Sequence, residues 1–107
     1  MTPFVFAYIP CKDQEEALSI GKQCVSQKIA ACGNILPGMM SVYEWEGKIR
    51  TETECLLLLK TTQAQQHDVT ETVQSLHSYD LPCIVFLPIE SGHDPYLRWI
   101  DEQTLRP

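Results

Sequence analysis

The side chains of this sequence best able to do chemistry are five cysteines, at 11, 24, 32, 55 and 83, and three histidines, at 67, 77 and 93. A thiolate joined by one or two imidazoles is a ligand set for copper or zinc, which are soft to borderline ions. The spacing contains no C-x-x-C pair and no closed zinc pattern, so a metal site has to be assembled by the fold. His77 with Cys83, or with Cys11, is the candidate metal pair; the other role open to His77 is to close a helix end, where the dipole favours a cation. His67 stands among glutamines and His93 in the turn Ser91-Gly92-His93-Asp94, both solvated contexts. A second constellation is Tyr43, Trp45, Lys60, Tyr79 and Trp99, aromatic walls with one cation that suit a small anion in a cleft between subunits. The same residue types also suit plain interface packing. Covalent catalysis by Cys11, Cys32 or Cys83 would need a base and an orienting acceptor that the spacing does not signal. There is no glycine-rich phosphate loop, no H-E-x-x-H and no G-x-S-x-G. The expectation is a protein without catalytic residues and without an organic cofactor.

These residues must be positioned by a single domain, because 107 residues leave no room for two. A composition 44% hydrophobic and 21% charged is that of a globular chain, and no apolar run approaches the ~20 residues needed to cross a bilayer. A net charge of -6, with 8 Lys and Arg against 14 Asp and Glu, argues against a nucleic-acid partner and leaves small cations as partners. The segment from Met1 to Tyr8 lacks a basic n-region, and the odd cysteine number suggests no disulfide framework; both point to the cytoplasm.

Hydrophobic periodicity divides the chain into βαββαβ with a terminal helix. Phe4 to Ile9 is apolar at both parities and stopped by Pro10, which predicts a strand buried on both faces. Asp13 is a good N-cap with Glu16 three residues on, and Leu18, Gly21, Val25 and Ile29 fall at helical spacing, which predicts a helix over 14–28. Ala31 to Leu36 reads as a second strand broken by Pro37-Gly38, and Met39 to Trp45 alternates up to a tight reversal at Glu46-Gly47. The return strand, Lys48 to Lys60, is polar in its first half and apolar in its second, so a protruding ribbon is expected. Val69, Val73 and Leu76 mark a second helix ending near His77; Cys83 to Ile89 reads as a buried fourth strand, and Pro95 to Ile100 as a short final helix.

That order is the split βαβ arrangement, an α+β, ferredoxin-like antiparallel sheet with two helices on one face. Strands apolar on both sides leave a second face that one chain cannot cover, so a second copy is expected to cover it. The stretch Ala31-Cys32-Gly33-Asn34-Ile35-Leu36-Pro37-Gly38, followed by Ser41-Val42-Tyr43-Glu44-Trp45-Glu46-Gly47-Lys48-Ile49, resembles the signature of the CutA family of divalent-cation-tolerance proteins. Leu57 to Thr61, Leu76 to Pro82, Leu87-Pro88-Ile89 and Tyr96 to Ile100 resemble the same family in the same order. The resemblance implies a cytosolic homotrimer linked to tolerance of copper and other divalent cations, with a signalling role often suspected. It also implies copper ligands from a strand-one Cys and adjacent histidines near the end of helix two. Here His77 matches one histidine, its neighbour is Leu76, and the nearest thiol is Cys11; Ser78 and Cys83 stand where the family usually has Pro and Glu. The expected function is a trimeric divalent-cation tolerance protein binding copper or another divalent ion, with a sensor of a small anionic or nucleotide-like ligand, or an interaction scaffold, as the alternative.

Overall fold

A computed structural model describes residues 3–104. They form β1 (Phe4–Cys11), α1 (Gln14–Ser26), β2 (Cys32–Trp45), β3 (Lys48–Thr62), a 3-10 turn (Gln63–Gln65), α2 (Gln66–Leu76), β4 (Val85–Pro88) and α3 (Asp94–Gln103). The four strands make one antiparallel sheet in the order β2-β3-β1-β4, the topology expected for a ferredoxin-like α+β domain. Among the described residues no helix is long and apolar enough to cross a membrane.

Local chemistry sets the element boundaries. The Asp13 carboxylate accepts the Glu16 N–H at 2.8 Å and starts α1. Glu46 and Gly47, with φ of 52° and 79°, form the two-residue turn that pairs Trp45 with Lys48, a conformation whose positive φ at both positions suits the twist of the flanking strands. Pro37-Gly38, whose residue types suit a turn or a kink, makes the kink and does not divide the strand in two. It sits in a register shift between Leu36 and Met39, and β2 runs through it as one bulged strand.

The core lies between the sheet and the first two helices. Ala7, Ile9 and Cys11 of β1 and Cys55, Leu57 and Leu59 of β3 face Ala17, Ile20 and Cys24 of α1 and Val69 and Val73 of α2. The buried stripe of α1 is thus shifted from the expected one: Leu18 and Val25 are about 40% exposed (42% and 40%), and the small residues Ala17, Gly21 and Cys24 lie against the sheet. A second, smaller cluster of Phe4, Ala31, Leu97 and Ile100 seats α3 against the opposite face at one end. The rest of that face carries Phe6, Tyr8, Leu56 and Leu58, half-buried, with Leu36, Val85 and Leu87 exposed beside them.

Two strand expectations need correction. β4 spans Val85–Pro88, not 83–89, and Val85 and Leu87 are exposed in the single chain instead of buried. β1 continues through Pro10 to Cys11. Proline is tolerated there because β4 pairs with β1 only as far as Tyr8, so the flank of β1 beyond Tyr8 is a free edge with no ladder bond to lose.

Candidate functional site

In the split βαβ path, β1 ends, α1 begins and α2 ends at the same end of the sheet. This brings Cys11, Glu16 and His77 together: one sulfur, one carboxylate oxygen and one ring nitrogen lie within 4.8 Å of one another. Among the described residues no other His, Cys, Asp and Glu side chains form such a group.

His77 holds the end of α2 against the free edge of β1. Its side chain is fully buried, and Nε2 lies 2.8 Å from the Pro10 carbonyl oxygen. The Tyr79 N–H donates to Nδ1 at 3.1 Å, which makes Nδ1 the acceptor and therefore puts the proton on Nε2, donating to Pro10. Nδ1 also faces Glu16, 4.0 Å from Oε1. The fold thus fixes the tautomer: the Nδ1 lone pair is taken by the Tyr79 N–H, with Glu16 Oε1 4.0 Å away.

Glu16 ties three segments together. Its Oε1 accepts the Lys12 N–H at 2.9 Å and its Oε2 the Ser78 N–H at 2.8 Å. Burial acts to raise its carboxyl, but these backbone donors, with the Ser78 hydroxyl and His77, outweigh it and hold the group below its ordinary 4.5. Cys11 is the opposite case: burial pushes its thiol from 9.0 up to about 12, and Glu16 and then Cys55 add to the effect. The sulfur contacts the Ile9 carbonyl at 3.6 Å.

Cys83 lies outside this group, exposed in the segment before β4. Burial and the charge of Glu54 raise its thiol above the ordinary 9.0, and Glu54 is itself paired with Tyr79. There the Tyr79 hydroxyl donates to Glu54 at 2.7 Å, and the Tyr79 ring lies 4.7 Å from that of His77. Sequence reasoning used Glu16 only as a helix-start signal. The pointer it held is topological, since the first turn of α1 lies beside the ends of β1 and α2 and Glu16 is the polar residue of that turn on the inner side.

The aromatic constellation is divided. Lys60 and Trp99 meet through a residue not singled out, Tyr96: Lys60 Nζ donates to the Tyr96 hydroxyl at 3.3 Å and stands 5.3 Å from its ring centre, and Trp99 lies 5.4 Å from the same ring. Cys32 Sγ is 3.5 Å from that hydroxyl. Tyr43 instead donates to Glu52 at 2.6 Å on the hairpin, where Trp45 is also exposed. Tyr43 pairs with Arg50 and Lys60 with Cys32, so the two sit roughly 30 Å apart along β3 at ~3.3 Å per residue. Within one chain neither Tyr43 nor Trp45 reaches Lys60.

Residues 5–103 match the family described as CutA1 divalent ion tolerance protein. The divalent-cation tolerance protein CutA of Thermus thermophilus is 43% identical over 96 residues, 90% of this chain and 93% of that one. The chloroplastic protein CutA of Arabidopsis thaliana is 41% identical over 102 residues, and the CutA homolog of Xenopus laevis is 41% identical over 96. The match spans 95% of this chain but 56% of the plant protein, and 90% of this chain but 64% of the frog protein. The crystal structure of CutA1 from Oryza sativa superimposes with a TM-score of 0.95 at 38% identity, covering 99% of this chain and 97% of that one.

Proposed function

The chain belongs to the CutA1 divalent ion tolerance family, and on that premise we propose that it is a non-enzymatic, homotrimeric protein of the cytoplasm that binds divalent metal ions, copper among them, through Cys11, Glu16 and His77. The observation that carries this reading is the convergence of sulfur, carboxylate and imidazole donors within 4.8 Å. The donor set suits a soft or borderline ion. The Nε2–H bond to the Pro10 carbonyl is the kind of support that orients a metal-binding imidazole, leaving Nδ1 as the donor. Binding would displace the Tyr79 N–H from Nδ1 and the proton from the buried Cys11 thiol, so affinity should rise with pH. The trimer is supported by the half-exposed apolar face around Tyr8, Leu58, Leu36 and Leu87. A reducing compartment is supported by five unpaired cysteines.

Titration calorimetry of copper and zinc on the reduced protein, with light scattering for the oligomer, tests the proposal. Binding that is lost in His77→Ala and Cys11→Ser but kept in Cys83→Ser is the expected result. Binding that survives His77→Ala would refute the assignment of the site.

A second reading, a sensor of a small anionic or nucleotide-like ligand, is favoured by Lys60. Its ammonium rests on Tyr96, and among the described residues no carboxylate lies within ion-pair distance of it. Under that reading Lys60→Ala abolishes thermal stabilisation by the ligand while His77→Ala leaves it intact.

A further inference from the structure

Cys11 is not alone on its strand ladder. In the antiparallel pairing of β1 with β3, its direct cross-strand partner is Cys55. Ala7↔Leu59, Ile9↔Leu57 and Cys11↔Cys55 follow one another along the helix-facing side, so both thiols point into the same layer of the core. Both are buried, at 0% and 2% exposure, and neither is bonded to another cysteine. Directly opposed residues in an antiparallel pair have Cα atoms about 4.5 or 5.5 Å apart, depending on their hydrogen-bonding phase. Either value lies inside the roughly 4.4–6.8 Å window a disulfide spans.

We propose that Cys11 and Cys55 form a redox-active dithiol that reduces copper(II) delivered to the neighbouring Glu16–His77 group. This rests on the metal-binding reading given above. The balance is Cys11–SH plus Cys55–SH plus two Cu(II) giving one Cys11–S–S–Cys55 bond, two Cu(I) and two protons. The two S–H bonds break, one S–S bond forms, each ion takes one electron in turn, and the protons leave through the carboxylate of Glu16 to solvent. The geometry separates the roles: Cys11 belongs both to the metal group and to the dithiol, while Cys55 belongs to the dithiol alone. Oxidation therefore consumes the sulfur donor of the site and releases the ion in its lower charge state. Thioredoxin-class dithiols would restore the pair by exchange.

The test uses the reduced full chain without oxygen. Copper(II) is added in the presence of bicinchoninate, Cu(I) is counted by its absorbance, and cysteine linkages are mapped by mass spectrometry after alkylation. The expected result is two Cu(I) per chain and a peptide linked through Cys11 and Cys55, in keeping with a two-electron couple. Cys55→Ser should lose both signals while still binding zinc(II), which cannot be reduced by thiols. A linkage through Cys24, Cys32 or Cys83, or Cu(I) produced equally by Cys55→Ser, would overturn the proposal. The mapping on the unmutated chain decides the matter even if Cys55→Ser folds poorly. Metal bound by the unmutated chain without a Cys11–Cys55 linkage after copper would sink this inference alone; neither zinc nor copper bound would sink the metal reading and this inference with it.

Discussion

Replacing Glu16 should expose how much of the fold's stability is held at one carboxylate. In Glu16→Ala the N–H groups of Lys12 and Ser78 lose acceptors at 2.9 and 2.8 Å, and α1 loses its tie to the segment after α2. Hydrogen bonds to an ionised group contribute about 1.5–3 kcal/mol each. Both donors belong to exposed residues that water can partly satisfy, so the low end applies, and the expected loss is about 3 kcal/mol at neutral pH. Glu16→Gln keeps the shape and one acceptor oxygen, and should lose roughly half as much. The sign with pH follows from the direction of the shift. The carboxyl is held below its ordinary 4.5, so its contribution is complete above that pH and is lost as pH falls through the lower folded value. Urea denaturation of both proteins, at one protein concentration and across the acid range, should show curves that are separated at neutral pH and converge in acid. A gap that stays constant down to the lowest pH, or a gap below about 0.5 kcal/mol at neutral pH, would refute the reasoning.

Two further outcomes are expected. Leu57 is fully buried, and its Cδ1 lies 3.3 Å from where a Cβ would stand on both Gly21 and Gly33, so Leu57→Ala should open a cavity walled by backbone and lower stability by about 3–5 kcal/mol in urea denaturation. A loss below about 2 kcal/mol would mean that α1 settles onto the sheet. Burial raises the Cys11 thiol to about 12 and the Cys24 thiol to about 11, both from 9.0, so these groups stabilise the fold fully below pH 9 and lose that effect as pH rises toward 11 and 12. Stability measured between pH 9 and 11 should therefore fall less steeply in Cys24→Ala than in the parent; equal slopes would contradict it.

The boundaries of α1 and the hairpin turn were legible because Asp13 and Glu46-Gly47 act through their nearest neighbours. The buried face of α1 was not. Hydrophobicity favoured Leu18 and Val25, but two glycines facing Leu57 let the helix approach the sheet along its small residues, and the larger ones are left at the rim. The length of β4 was overread because the apolar run from Cys83 carries no mark of where its partner strand stops pairing. For the site, His77 and Cys11 were legible by chemical type, while Glu16 was absorbed by its role at the helix start. Tyr96, which joins Lys60, Cys32 and Trp99, has no local pattern at all; its position depends on where α3 lands on the far face.

The place of β1 in the sheet sets a timetable for the chain as it leaves the ribosome. Both of its neighbours, β3 and β4, come later in sequence. At ~5–20 residues per second, Thr62 follows Cys11 by roughly 3–10 s, whereas a local hairpin such as β2–β3 closes in ~1–10 μs once both arms are out. For those seconds the segment Phe4-Val5-Phe6-Ala7-Tyr8-Ile9 waits as an apolar strand with neither edge satisfied. Of the four strands, β1 is therefore the one that stays longest without either of its neighbours during synthesis.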